Sequence, residues 1–193
     1  MGIKIIFLFL SILVLNSCTK KQEQTLTTKQ ETEPKKETTN MTLKITSTAF
    51  QNEGMIPEKY TCDGEDLSPA LKFEAIPAGT KSTLLICDDP DAPSGNWNHW
   101  ILYNIPPNIT ELDEGISIEK LKSKGILSGT NDFKKKEYGG PCPPGGTHRY
   151  FFKFYALDEM LNPEKLLSRN EILKEIAGHI LAQAELMGKY KRK

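Results

Sequence analysis

The stretch Gly139-Gly140-Pro141-Cys142-Pro143-Pro144-Gly145-Gly146-Thr147-His148-Arg149-Tyr150, running on as Phe151-Phe152-Lys153-Phe154-Tyr155-Ala156-Leu157, decides how this chain is read. Its first half is rigid where proline fixes φ and open where glycine removes the side chain, so it can present backbone N–H groups to a bound anion. Its second half, Arg149 to Leu157, is aromatic on both faces, the pattern of a central strand covered on each side. On that strand His148 and Tyr150 lie two residues apart and share a face, while Arg149 points the other way.

Working outward, the segment from Met41 consists of short strands punctuated by Pro and Gly. Thr42 to Ser47 alternates, Ser82 to Cys87 is a buried-type run, and His99 to Ile105 is apolar and aromatic. Pro57, Pro69, Pro77, Pro106 and Pro107 forbid long helices before Asn162. Only the end reads helical. Ser168 and Glu171 form a capping box, and Ile172, Leu173, Ile176, Ile180, Leu181, Ala184 and Met187 lie on one helical stripe stopped by Gly188. The expectation is a mostly β, two-sheet antiparallel β-sandwich with a packed C-terminal helix.

The first eighteen residues are a separate matter. Lys4 precedes an apolar run, Ile5 to Leu15, too short to span a bilayer as a helix, and the run ends in Leu15-Asn16-Ser17-Cys18, which resembles a bacterial lipobox. This predicts a lipoprotein signal over residues 1–18, with Cys18 lipidated and first in the mature chain. Residues 19–40 hold Lys, Glu, Gln and Thr with a single Leu26, too little apolar surface to offset chain entropy, and read as a disordered tether. Residues 41–193 form the domain. The expected location is the bacterial cell envelope, with the membrane reached through the lipid.

Charge and cysteine content exclude several functions. Lys plus Arg and Asp plus Glu number 25 each, so no net field recruits nucleic acid. The four cysteines make no CxxC pair and there are three histidines, which argues against a structural zinc site. Asp88, Asp89 and Asp91 invite a calcium reading, but Pro93 interrupts the ligand rhythm and Trp100 stands where an EF-hand has its Glu. The glycine-rich run is not followed by Lys-Ser/Thr and is no phosphate loop of that kind. No cofactor or metal is implied.

Asp89-Pro90-Asp91-Ala92-Pro93 directly follows the Ser82–Cys87 run, and Asn98-His99-Trp100 opens the next strand. If those strands pair antiparallel, Asp89 and His99 meet at one sheet end. These pieces, with Gly140-Pro141-Cys142-Pro143-Pro144 and His148-Arg149-Tyr150, resemble the signature of the phosphatidylethanolamine-binding protein (PEBP) family. Thr61-Cys62-Asp63-Gly64-Glu65-Asp66-Leu67-Ser68-Pro69 and Leu181-Ala182-Gln183-Ala184-Glu185-Leu186 are similar to its bacterial, Raf-kinase-inhibitor-like branch. The resemblance covers about Thr42 to Tyr190. What departs from the family pattern is the tether and the unusually basic Lys134-Lys135-Lys136-Glu137.

The resemblance implies a β-sandwich with a shallow pocket for phosphate, phosphoethanolamine or carboxylate. On this chain the pocket would hold Asp89, His99, His148 and Tyr150, with Gly140 and Pro143 on the rim. Imidazole and phenol groups can donate to phosphoryl oxygens, whereas Asp89 should be protonated, or pair with a protonated histidine or a ligand ammonium. Relatives described as kinase or protease modulators imply a possible protein partner. No Ser or Cys nucleophile with a base, and no metal set, is apparent, so binding rather than catalysis is expected. Cys62 and Cys142 both sit in motif loops, and an exported protein can oxidise them to a disulfide; sequence leaves that open.

Overall fold

A computed structural model describes residues 42–162 and 168–193. The signal assigned to residues 1–18, with Cys18, and the tether assigned to 19–40 lie outside the described residues. The compact unit that holds the described residues runs from Thr39 to Lys193.

Two antiparallel sheets make the fold. The smaller joins β1 (Lys44–Ser47), β2 (Leu71–Glu74) and β5 (Glu111–Leu112) in the order β1-β2-β5. The larger has the order β6-β4-β3-β7-β8, from β3 (Ser82–Asp89), β4 (Trp97–Ile105), β6 (Leu127–Ser128), β7 (Thr147–Leu157) and β8 (Ile180–Lys191). Alternation along each strand sends Ile45, Leu71, Phe73 and Leu112 of the small sheet onto Leu85, Leu102, Tyr150, Phe152 and Phe154 of the large one. Phe73 and Phe154 stack with ring centroids 3.9 Å apart. The mostly β, two-sheet reading of the sequence therefore holds.

The opposite face of the large sheet carries a second apolar cluster, Leu84, Ile86, Ile101, Tyr103, Tyr155 and Leu157, covered by Ile172 of α2 (Arg169–Glu175) and by its C-cap residue Ile176. This cover explains why every residue of β3 is buried. The Glu171 carboxylate accepts the Ser168 backbone N–H at 2.8 Å, as the capping box requires. A one-and-a-half-turn helix, α1 (Ile118–Ser123), stands before β6 with Ser117 as its cap.

The terminal helix is shorter than the sequence suggests. It stops at Glu175, and Ile180, Leu181, Ala184 and Met187 belong to β8 instead. Gly178 turns the chain at φ 91°, and β8 then pairs with β7 from Leu157↔Ile180 to Thr147↔Lys191. Ile172, Ile176 and Ile180 satisfy a 3.6-residue period, but Ile180, Ala182, Ala184 and Leu186 equally satisfy a period of two. The open edge of β7 offers backbone partners that an isolated helix end lacks. Gly188 is accordingly a strand residue, not a helix stop; a side chain there would meet Ile56 Cγ1 at 2.5 Å.

Candidate functional site

Asp89 closes β3, His99 is the third residue of β4, and His148 and Tyr150 lie in the first half of β7. Because β3 pairs antiparallel with both β4 and β7, these residues converge at one end of the large sheet. Between Cys87↔Trp100 and Asp88↔Asn98 the register skips His99, making it the extra residue of a β-bulge. A bulged residue is free of the ladder and can be re-aimed. The His99 carbonyl is instead taken by the following loop, accepting from Gly139 N at 3.1 Å and Asn131 Nδ2 at 3.0 Å.

The cavity at this end measures about 180 Å³ and is walled by Asp89, His99, His148 and Pro143, with Trp97 and Phe133 among its apolar sides. Three of the expected residues are thus polar groups in its wall, exposed by only 3% (Asp89), 3% (His99) and 7% (His148). Tyr150 stands behind the wall: it is fully buried, its ring edge-on to His99 at 5.2 Å between centroids. Its hydroxyl has no hydrogen-bond partner among the described residues, although it is close enough to Asp89 to feel its charge. Burial first, then that charge, pushes the phenol pKa far above its ordinary value, so Tyr150 keeps its proton and remains a donor.

Gly140 does not line the cavity. Its N–H donates to Asp66 Oδ1 at 2.6 Å, and a Cβ would meet Asp66 Oδ1 and the Tyr60 carbonyl at 2.5 Å each. The residue is glycine because the pocket loop is pressed against the 60–66 loop. A disulfide between Cys62 and Cys142, with Cα atoms 5.4 Å apart, joins the same two loops, and Cys142 itself borders the cavity.

Hydrogen bonds fix the roles of the polar groups. His99 Nδ1 lies 2.6 Å from the Gly139 carbonyl, which can only accept, so the ring proton sits on Nδ1. Burial holds the His99 pKa below the usual histidine value, and the neutral ring keeps Nε2 as an acceptor. His148 Nδ1 lies 2.8 Å from Asp89 Oδ2, and Asp89 Oδ1 accepts the Asp91 N–H at 2.8 Å. Both carboxylate oxygens are therefore engaged within the protein. Asp91 is in turn clamped by Arg149, whose Nε and NH2 donate at 2.9 and 2.7 Å, pinning the Asp-Pro-Asp loop to β7. Asp88, on the opposite face, meets Lys153 and Arg169. The three neighbouring aspartates diverge to separate cations or to histidine rather than converging on one ion.

The model of the family described as phosphatidylethanolamine-binding protein matches residues 46–191. The chain belongs to the PEBP family. Among curated relatives, a UPF0098 protein of Methanothermobacter thermautotrophicus is 48% identical over 144 residues, spanning 75% of this chain and 95% of the relative. One of Chlamydia muridarum is 42% identical over 155 residues, spanning 78% and 99%. Of solved structures, the PEBP homologue CT736 of Chlamydia trachomatis superposes with a TM-score of 0.73 at 40% identity, covering 79% of this chain and 99% of that one. E. coli YBCL, described as a new member of the mammalian PEBP family, gives 0.72 at 30% identity, covering 79% and 100%. These PEBP relatives consist almost wholly of the matched part.

Sequence reasoning missed Trp97 and Phe133. Phe133 packs edge-on against both Trp97 (5.5 Å) and His99 (5.3 Å) and forms the apolar side of the PEBP cavity. Nothing in the local sequence marks it. It reaches the site because Asn131 folds its loop back onto β4 through the His99 carbonyl.

Proposed function

We propose that this PEBP-family protein binds a small ligand carrying an anionic group and a transferable hydrogen, such as hydrogen phosphate, a protonated carboxyl or phosphoethanolamine. The observation carrying this reading is the cluster of Asp89, His99 and His148 buried in the wall of one 180 Å³ cavity, with both imidazole Nδ1 atoms already used. Three titratable groups buried at a sheet end cost stability and serve no packing need, which favours a binding role. The cavity is below the ~300–1,000 Å³ usual for drug-sized ligands, so it suits a head group and not a whole lipid.

The chemistry of the ligand follows from the protonation pattern. His99 Nε2 accepts, the His148 ring is oriented by Asp89 with Nε2 left over, and Tyr150 stands behind them with its hydroxyl proton retained. A ligand with both an acceptor oxygen and a donor hydrogen satisfies this set, and a fully deprotonated phosphate group with no other donor hydrogen beside Asp89 does not. We also propose export and attachment through lipidated Cys18 to the cell envelope, on the apolar run ending at that cysteine. A fatty-acid probe should label the full chain and not its Cys18→Ser variant.

A second reading has one observation in its favour. The Asp89–His148 pair, with Ser94 in the same wall, has the groups of an acid–base site for a phosphoester. A thermal-shift screen of the chain from Met41 with inorganic phosphate, phosphoethanolamine and acetate, run beside a phosphomonoester turnover assay, separates the two. A ligand-dependent rise in melting temperature without turnover supports binding. No shift with any of the three rejects it.

A further inference from the structure

The geometry points to an anionic lipid bilayer as the partner of a lysine face that adjoins the pocket. After β6 the chain folds into a tight loop around Asn131: its N–H donates to the Lys135 carbonyl at 2.8 Å, its Oδ1 accepts from Lys135 N at 2.9 Å, and Lys134 N donates to its carbonyl at 3.0 Å. The hub leaves Lys134, Lys135 and Lys136 exposed at the tip. Lys134 takes φ 64°, a left-handed conformation that favours Gly or Asn, so the first lysine of the run stands at a position poorly suited to it.

Lys122 on α1 joins the same face. Lys122 and Lys136 border one hollow of about 130 Å³, whose remaining walls are Tyr103, Ile118, Ile126, Leu127 and Ser128. None of the four lysines makes an ion pair among the described residues, in contrast to Lys44, Lys59, Lys120, Lys153 and Lys193. Of the nearby carboxylates, Glu119 faces Lys122, Glu137 accepts the Lys136 backbone N–H, and Asp132 accepts the Asn98 N–H. With those three carboxylates counted as charged against four lysines, the face carries a net charge of 4 − 3 = +1 in a chain whose total charge is zero.

Its composition selects the partner. Phe133, the exposed apolar residue beside the lysine run, and the apolar walls between Lys122 and Lys136 fit the boundary of head groups and acyl chains, where cation and hydrocarbon are met together. A nucleic acid would use the charge and leave those apolar surfaces unfilled. Because Phe133 is also a wall of the ligand cavity, docking by this loop brings the pocket mouth to the head-group layer. The inference rests on these described residues and not on Cys18 or on the ligand.

The test uses the chain from Met41, which contains the whole span matched by the family model and is first checked for a cooperative melting transition. It is sedimented with vesicles of phosphatidylcholine alone or of equal parts phosphatidylcholine and phosphatidylglycerol. A patch variant, Lys122→Gln with Lys134→Gln, Lys135→Gln and Lys136→Gln, is compared with Lys72→Gln, Lys81→Gln, Lys174→Gln and Lys191→Gln, which removes the same charge from other elements. Wild type and control should bind the phosphatidylglycerol vesicles and be released by salt, while the patch variant binds at least ~10-fold more weakly, since one lysine near an anionic surface is worth about fivefold. Equal weakening of both variants, no binding of the wild type to phosphatidylglycerol vesicles, or tighter binding of the same face to a short DNA duplex overturns the proposal. Equal melting temperatures confirm that the variants are folded.

Discussion

His148 Nδ1 and Asp89 Oδ2 are 2.8 Å apart, and the other oxygen of the same carboxylate holds the Asp91 N–H at 2.8 Å. Asp89 is thereby engaged in positioning the imidazole and the loop through both of its oxygens. Asp89→Asn should therefore weaken phosphate and phosphoethanolamine together, by roughly ten-fold for loss of one charged hydrogen bond. Calorimetry with both ligands checks this. Weakened phosphoethanolamine with unchanged phosphate would mean that Asp89 answers the ammonium instead.

The Cys62–Cys142 bond closes a sequence separation of 80 residues between the two loops that shape the pocket. Reduction, or replacing both cysteines by serine, should lower stability by ~2–4 kcal/mol, read as a shift of the urea midpoint. Cys87, buried and with its thiol pKa pushed up by burial, should react with a thiol reagent only after unfolding.

Gly140 and Gly145 lie five residues apart and make opposite predictions. A Cβ at Gly140 meets the Tyr60 carbonyl and Asp66 Oδ1 at 2.5 Å, whereas one at Gly145 meets nothing within 4 Å. Gly140→Ala should destabilise by roughly 1–3 kcal/mol or more, and Gly145→Ala by no more than about 0.5 kcal/mol. Denaturant titration of the two variants distinguishes them.

His99 gives the fold a pH dependence of known sign. Its folded pKa is lowered, chiefly by burial, so the unfolded chain takes the proton more readily than the folded one. The stability from keeping this ring neutral is complete above the ordinary value of ~6.5 and is lost as pH falls through it toward the folded pKa. The urea midpoint should therefore drop more on acidification for the wild type than for His99→Gln. Equal drops would contradict the assignment.

Much of the site was legible because it depends on strand arithmetic. Alternation put His148 and Tyr150 on one face, antiparallel pairing brought Asp89 to the sheet end of His99, and the family resemblance joined the two pairs in one pocket. The bulge at His99 was not legible, because a skipped residue follows from the register with β3 and leaves no local mark. Phe133 was hidden for a similar reason: a hydrogen bond from Asn131 to a carbonyl 32 positions earlier brings it to the cavity. The last strand was misread as helix because Ile172, Ile176, Ile180 and Ala184 fit either period, and the open edge of β7 decided between them. Gly140 was read as a rim group, but its backbone approach to the 60–66 loop is what demands glycine.

The most direct test of the pocket uses His148 and His179, which lie at opposite ends of the β7–β8 ladder. His148 pairs across to Tyr190, while His179 precedes the Leu157↔Ile180 pair and bonds Asp158 at 2.9 Å. Titration calorimetry with phosphate and phosphoethanolamine should show His148→Ala weakening binding by roughly ten- to a hundred-fold, the ~1.5–3 kcal/mol of one hydrogen bond to a charged ligand. His179→Ala should bind like the wild type. If both variants bind every anion as the wild type does, the pocket is not where the ligand sits.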